Sequence, residues 1–463
     1  MVMEIKDKEY ERWLDSLSLD QVLRLFRGHG ASELLCKVLP RNANSKNQVY
    51  LGPDIGQLGK IPSGPITAVP STSNKTSGRD GPIFRSSVSL FWITTEGLAH
   101  APGTKLIAYP QFPEVRLSGF LQGCRESPSF LFNTEKRGLV PDRLLFLGPR
   151  PDGTVLALAL PPESSAAKEF RANSYDGYGM FALLPLHADQ AGSGLILLLD
   201  ELLRVHRLGW MLSQRLNKLG VLMPCNGTNC GGYTLEAELG IRPNSLAEPD
   251  FHGWEVKSRQ VSDILKPGKS TVTLFTPEPD GGAYASEGPK YFIRTWGYPD
   301  RSGRPDRINF GGVYRCTDSY HSRTGTRMIL DGYDPATGNF DAQGALRLID
   351  SGDVVAASWS FVKLMDHWKR KHAHAVYVPC QGRKKPDRTY CYADTVLLAE
   401  GAQFRRFLQA LSNGSAYYDP GIKLEAASSP KAKVKRRSQI RIGSGDLPAL
   451  YQSTQVASVN RRA

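Results

Sequence analysis

Apolar positions over the first thirty residues recur at helical spacing, with Trp13, Leu14 and Leu17 on one stripe and Val22, Leu23 and Phe26 on a second. Ser18, with Gln21 three residues on, has the form of a capping box for the second piece, and Gly28-His29-Gly30 stops it. From about residue 34 to 161 the period shortens to that of strands. β-rich runs are predicted at 48–51, 88–94, 105–109, 115–120, 143–147 and 155–160, separated by Gly, Pro, Asn and Ser clusters as in a small barrel or sandwich. Residues 62–82 read as a polar Pro/Gly/Ser/Thr loop.

A break at 186–194 (LHADQAGSG) precedes a long helical pattern from 195 to 219 that ends at Gly220. Beyond it the pattern predicts helices at 234–239, 359–371 and 401–411, and strands at 253–258, 271–276, 291–295, 327–330 and 375–378. Mixed strands flanked by helices make an α+β or α/β layer architecture. The expected division is a β-rich domain over 1–192 and a mixed domain over 193–463 with a basic C-terminal segment, whose run of six cations at 431–441 reads, taken alone, as a solvated arm. No internal repeat of fixed period is evident.

The chain has 463 residues, 40% of them hydrophobic and 22% charged, sufficient for cores in two or three domains. Its apolar run at 155–160 is too short to span a bilayer, and no cationic-then-apolar leader opens it. Membrane, secreted and collagenous classes are therefore set aside, and the cytoplasm is the expected location. The net charge of +13 divides unevenly, +2 over residues 1–195 and +11 over 196–463. A basic half beside a near-neutral half suggests a polyanion bound mainly by the C-terminal part. The seven cysteines are odd in number and irregularly spaced, so reduced intracellular thiols are expected. Cys225 and Cys230 would seed a zinc site with His372, His374, Cys380 or Cys391, but no C-x2-C or H-x3-H knuckle accompanies them.

The stretch that carries chemistry is Pro249-Asp-Phe-His-Gly-Trp-Glu-Val-Lys257. In a strand, Glu255 and Lys257 project to one face while Val256 packs opposite. Asp250 lies on the preceding turn, which His252 and Gly253 allow to fold back. Two converging carboxylates repel unless a cation separates them, and hard oxygen ligands favour magnesium. The lysine beside them is suited to orient a water and to stabilise charge on a phosphate. Taken alone, a D-x4-E-x-K string also fits an amphipathic edge strand with a salt bridge. Trp254 reads as core packing, and Gly227 to Gly232 as a turn before a helix, since it lacks the Gly-Lys-Ser/Thr ending of a phosphate loop.

Residues 209–260, with Thr234-Leu-Glu236, Leu239-Gly-Ile241 and then Asp250, Glu255 and Lys257 in order, resemble the MvaI/BcnI restriction endonucleases and their relative MutH. The later VTLFTPEPDGG (272–282) and the tryptophan-bounded segment 359–368 leading into AVYV extend the resemblance over roughly 196–463. It implies a C-terminal PD-(D/E)xK restriction-endonuclease-like domain, a mixed sheet flanked by helices, preceded by a β-rich N-terminal domain. Asp250 and Glu255, with the Val256 carbonyl, would hold Mg2+. Lys257 would position the attacking water, and Glu236 would support the catalytic shell. The family's members act as monomers on double-stranded DNA, cutting one strand at a time and leaving a 5′-phosphate. By the resemblance of the C-terminal segment, Arg436, Arg437 and Arg441 would contact DNA; arginine suits guanine edges, although phosphate contact is its commoner use. His252 in the motif and Arg323 and Arg327 in a polar stretch are further candidate DNA contacts, the alternatives being a turn histidine and solvated surface.

The expected function is that of a type II, magnesium-dependent, sequence-specific endonuclease, paired with a cognate methyltransferase. The alternatives are a MutH-like strand-specific nickase and a noncatalytic DNA-binding protein that retains the fold. The family's typical enzyme is about half this length, so residues 1–192 have a role of their own. Segments 33–52 and 112–123 resemble the effector domains of some restriction enzymes, which bind a second DNA site. Arg41, Asn42, Asn44, Lys46, Asn47 and Gln48 would then read a groove from a loop. An autoinhibitory, structural or partner-binding module is the alternative.

Overall fold

The computed structural model describes residues 2–41, 47–70, 82–112, 114–133, 136, 138–186, 194–227, 229–242, 251, 253–371 and 374–460. Met1–Val69 with Ile83–Ile196 form one compact unit, and Leu197–Ala463 the body of a second.

The first unit opens with helices Val2–Ser16 and Leu19–Gly28. The second has the reciprocal capping box expected of Ser18 and Gln21, so two otherwise orphan N–H groups are satisfied at its start. Val22 and Phe26, one turn apart, are its buried residues. Two sheets follow. Seven strands run in the order Asp176–Tyr178, Phe181–Leu184, Leu34–Leu39, Arg143–Pro149, Val155–Leu160, Leu90–Thr94 and Gly97–Ala101. Five run in the order Val49–Gly52, Glu114–Ser118, Lys105–Tyr109, Ile83–Ser87 and Thr67–Val69. Val155–Leu160 is buried at every position, antiparallel to Arg143–Pro149 and parallel to Leu90–Thr94. A strand covered on both faces reads as a continuous apolar run, as this one does. Arg143, buried beside it, donates to the carbonyls of Val140 (2.6 Å), Pro40 (2.9 Å) and Leu131, which offsets the cost of its burial.

The second unit is mixed. Its main sheet runs Met211–Leu212, Thr389–Tyr392, His374–Arg383, Thr395–Glu400, Ser453–Ser458, and Glu255–Gln260 pairs in parallel with His374–Arg383. Helices Cys230–Glu238, Phe361–Lys371 and Phe404–Ser412 belong to the same unit. Phe275, Trp368 and Phe407 form an aromatic core, with Trp368 and Phe407 stacked at 4.9 Å between ring centroids. Trp359 is fully buried and donates its indole N–H to the Pro277 carbonyl at 2.9 Å.

Four expectations fail here. The helix predicted over 195–219 stops at Arg207. Gly209 takes φ +65°, and the chain then forms strand Met211–Leu212 and a hairpin, Gln214–Leu216 with Leu222–Pro224. Segment 291–295 is helical, inside Gly288–Trp296, because Pro289 starts a helix and Phe292, Ile293 and Trp296 share its buried face. The basic run 431–441 is no free arm: Lys433–Lys435 pairs with Gly421–Glu425, and Ile440–Gly443 with two further strands. Cys225 and Cys230, expected as thiols, form a disulfide across a five-residue separation at the start of the Cys230–Glu238 helix.

Candidate active site

The site is built on the strand Glu255–Gln260. A tight turn delivers the chain to it: Phe251 N–H donates to the Trp254 carbonyl at 3.0 Å and Trp254 N–H to that of Phe251 at 2.8 Å. Gly253 sits within it at φ +88°, a conformation that a side chain would strain. Trp254 is buried, with its ring 5.2 Å from that of His374. Asp250 and His252 lie outside the described residues.

On the strand, Glu255 and Lys257 stand two residues apart and therefore on one face. Lys257 Nζ donates to Glu255 Oε1 at 2.9 Å, with side-chain exposures of 14% and 6%. Val256, between them, is buried. A charge so far from water needs a partner, and each supplies the other's. The parallel register sets Lys257 beside Tyr377, whose hydroxyl shares a 2.6 Å hydrogen bond with that of Tyr451. Burial pushes the Tyr377 hydroxyl above its usual pKa; the Lys257 charge pulls it down and that of Glu255 pushes it up. Burial also raises Tyr451, with Tyr377 and Glu255 adding to it. Both phenols are thereby held in their neutral form beside the Glu255–Lys257 pair.

Glu236 stands on Cys230–Glu238, a helix that packs against this strand. The helix is locked to the sheet at its first turn, where Tyr392 Oη donates to the Gly231 carbonyl at 2.7 Å. Gly231 permits that approach, since a Cβ there would lie 2.9 Å from Cys380 Sγ. Thr234 is buried, and its hydroxyl bonds both the N–H (3.1 Å) and the carbonyl (3.2 Å) of Gln214.

The arginines proposed for DNA lie elsewhere in the unit. Arg323 stacks on Tyr298 and Arg327 on Tyr320, at 5.2 and 4.9 Å. Arg436 lies 3.8 Å from Glu278, Arg437 Nε donates to Gln439 Oε1 at 3.0 Å, and Arg441 to Asp419 at 2.5 Å. Among the described residues, no hydrogen bond or ion pair joins any of them to Glu255 or Lys257. Tyr377 and Tyr451 went unnoticed in the sequence. Tyr377 was legible as a strand residue two positions after Ala375, but its register against Lys257 was not.

A buried carboxylate and lysine on one strand, flanked by an acidic helix, define the class of the second unit: a PD-(D/E)xK nuclease fold. The MvaI/BcnI restriction endonuclease family matches residues 199–451, and the chain belongs to that family. It thus takes a nuclease-superfamily role, with a β-rich N-terminal unit outside the matched region. Among solved structures, restriction endonuclease MvaI in complex with its cognate DNA substrate is 20% identical, with 58% of this chain and 99% of that one covered at a TM-score of 0.43. MvaI in the absence of DNA is 20% identical, with 58% and 98% covered at a TM-score of 0.33. No curated protein matches. No helix among the described residues is long and apolar enough to cross a membrane.

Proposed function

We propose that this protein is a magnesium-dependent, sequence-specific type II endonuclease that hydrolyses phosphodiester bonds in duplex DNA. It would act as a monomer in the cytoplasm, beside a methyltransferase that protects the host's sites. The observation that carries the reading is the buried Glu255–Lys257 pair on the strand Glu255–Gln260, inside the residues that the family matches. The donor chemistry fits a hard divalent cation: Glu255 and Asp250 are carboxylates, and the Val256 carbonyl adds a third oxygen. Among the described residues alone no cluster of three such side chains occurs; Asp250 is outside them. When bound, magnesium supplies Lewis acidity toward the phosphate and a water of lowered pKa. The chain's own residues do the rest. Glu255 holds the Lys257 ammonium at the mouth of the strand. Lys257 orients the attacking water and stabilises charge on the phosphate oxygens as the leaving 3′ oxygen departs, leaving a 5′-phosphate. Glu236 supports that shell from the adjoining helix. Arg323, Arg327, Arg436, Arg437, Arg441 and His252 are the proposed DNA contacts.

The test is digestion of an unmethylated plasmid of known sequence, with magnesium or with EDTA, and mapping of the ends. Discrete magnesium-dependent breaks at one short motif are expected. Single-strand nicks alone would point instead to a MutH-like nickase, and DNA binding without products to a noncatalytic role.

For residues 1–192 a DNA-recognition or effector role is favoured by one feature of the first unit. A cavity of about 520 Å³ is lined by Lys37, Arg41, Gln48, Tyr50 and Arg116, among others. Lys37 is 4% exposed and meets the Tyr50 ring at 5.8 Å, with no hydrogen bond or ion pair from its side chain to any described residue. Arg41, Arg116 and Arg143 also line the cavity against one carboxylate, Asp142, so a lysine so placed favours an anion such as a DNA phosphate.

A further inference from the structure

The hairpin Gln214–Leu216 with Leu222–Pro224 carries an apolar surface into solvent. Leu219, at its tip, is 82% exposed, and Val221, Leu222 and Met223 are exposed beside it. Such residues are seldom left contiguous in water without a binding role. The tip is ordered. Asn217 N–H donates to the Val221 carbonyl at 2.9 Å, and Asn217 Oδ1 accepts from Leu219 N–H (2.9 Å) and Val221 N–H (3.0 Å). Gly220, at φ +79°, donates to the Asn217 carbonyl at 3.0 Å and closes the turn. The base is equally firm: Gln214 bonds Thr234 through its backbone and Glu238 through its side chain, the latter at 2.6 Å. Both partners lie on the helix that packs against the Glu255–Gln260 strand. The finger is therefore a stiff extension of the layer that holds Glu255 and Lys257.

Its charge says what it meets. Arg215, Lys218 and Arg242 are exposed and form no ion pair with a described residue. Arg242 lies against the tip, where a Cβ on Gly220 would be 2.9 Å from its Nε. The nearby acid, Glu238, is already engaged by Gln214 and by Arg204. An apolar tip beside three cations that have no ion pair among the described residues complements a surface that is anionic outside and apolar within. A second copy of the chain would instead set these cations against themselves. We propose that the hairpin is a DNA-groove finger, in which Arg215, Lys218 and Arg242 contact phosphates and Leu219 wedges against a base step. β-ribbons are used in either DNA groove, and apolar side chains inserted from the minor groove unstack base steps. The proposal rests on the endonuclease reading above.

The test uses the full chain and a fluorescently labelled duplex carrying the mapped cleavage site, titrated in EDTA across a salt series. Leu219→Ser alters only an exposed side chain, so folding is preserved. It should weaken binding roughly ten- to a hundredfold, the worth of one buried leucine, with the salt slope unchanged. Lys218→Gln should instead lower the slope by about 0.9, one phosphate contact. A 2-aminopurine placed at the contacted step should brighten on binding wild type and not on binding Leu219→Ser. If wild type binds and cuts while Leu219→Ser binds equally well, the finger is wrong and the endonuclease reading stands. If Leu219→Ser instead turns a dimer into a monomer by light scattering, a second copy is the occupant and the finger is again wrong. A wild type that binds no duplex at all removes both.

Discussion

Lys37 and Lys257 both project from strands, one in each unit, and both are largely withdrawn from water. Lys257 meets a carboxylate at 2.9 Å, two residues away on the same strand. Among the described residues, the Lys37 ammonium meets the face of Tyr50 and forms no ion pair. The second unit has thus matched its buried cation internally, as a site that must hold a fixed geometry requires. In the first unit Lys37 forms no ion pair with a described residue, beside a cavity that also receives Arg41, Arg116 and Asp142. Burial accordingly pulls the Lys37 ammonium below its usual pKa.

The largest effect should come from breaking the matched pair. Glu255→Gln keeps the side-chain volume and removes the charge, and cleavage should fall on the order of 10²–10³-fold or more, while DNA binding in EDTA is retained. Plasmid cleavage and duplex titration on the same preparation check this. Equal cleavage by Glu255→Gln would remove the second unit's catalytic assignment.

Next in size is the scaffold behind Lys37. Leu158→Ala, in a strand buried at every position, should cost about 2–5 kcal/mol. Denaturant unfolding, with hydrogen exchange followed over residues 143–160, measures it.

Lys37→Met sharpens the contrast most directly. Because the folded-state pKa lies below that of the unfolded chain, the unfolded state binds more protons across that window. Wild-type stability should therefore rise as pH climbs from below the folded value toward the free lysine value of about 10.4. Lys37→Met should flatten that rise and, if the cavity takes a phosphate, lower the salt slope of DNA binding by about 0.9. An unaltered stability–pH curve would show that Lys37 is not held in a costly charged state.

The smallest effect is local. Ser18→Ala removes one half of the capping box and should cost about 1 kcal/mol, read as a lowered unfolding midpoint.

Several features were legible in the residues alone because they depend on neighbours in the chain. Ser18 and Gln21 cap a helix three residues apart, and Val155–Leu160 is a strand because six consecutive apolar residues bounded by turns have few other uses. The i, i+2 spacing of Glu255 and Lys257 fixes their common face in any strand, and the motif order around them identifies the family. Other features answered to distant partners. Leu212, Leu216 and Leu219 kept an apolar rhythm that read as helix beyond Arg207, yet periodicity does not say whether a side chain is buried. Leu212 and Leu219 are exposed, on a strand edge and a hairpin tip. The cations of 431–441 read as a solvated arm; those at 431–437 are exposed, but pairing with 421–425 and 271–275 ties the run's backbone into two sheets. The partner of Lys257 was legible two residues away in the sequence, whereas the burial of Lys37 against Tyr50 shows only in the fold. Local spacing is a property of the chain, whereas register, burial and charge pairing between remote segments exist only after the backbone has closed on itself.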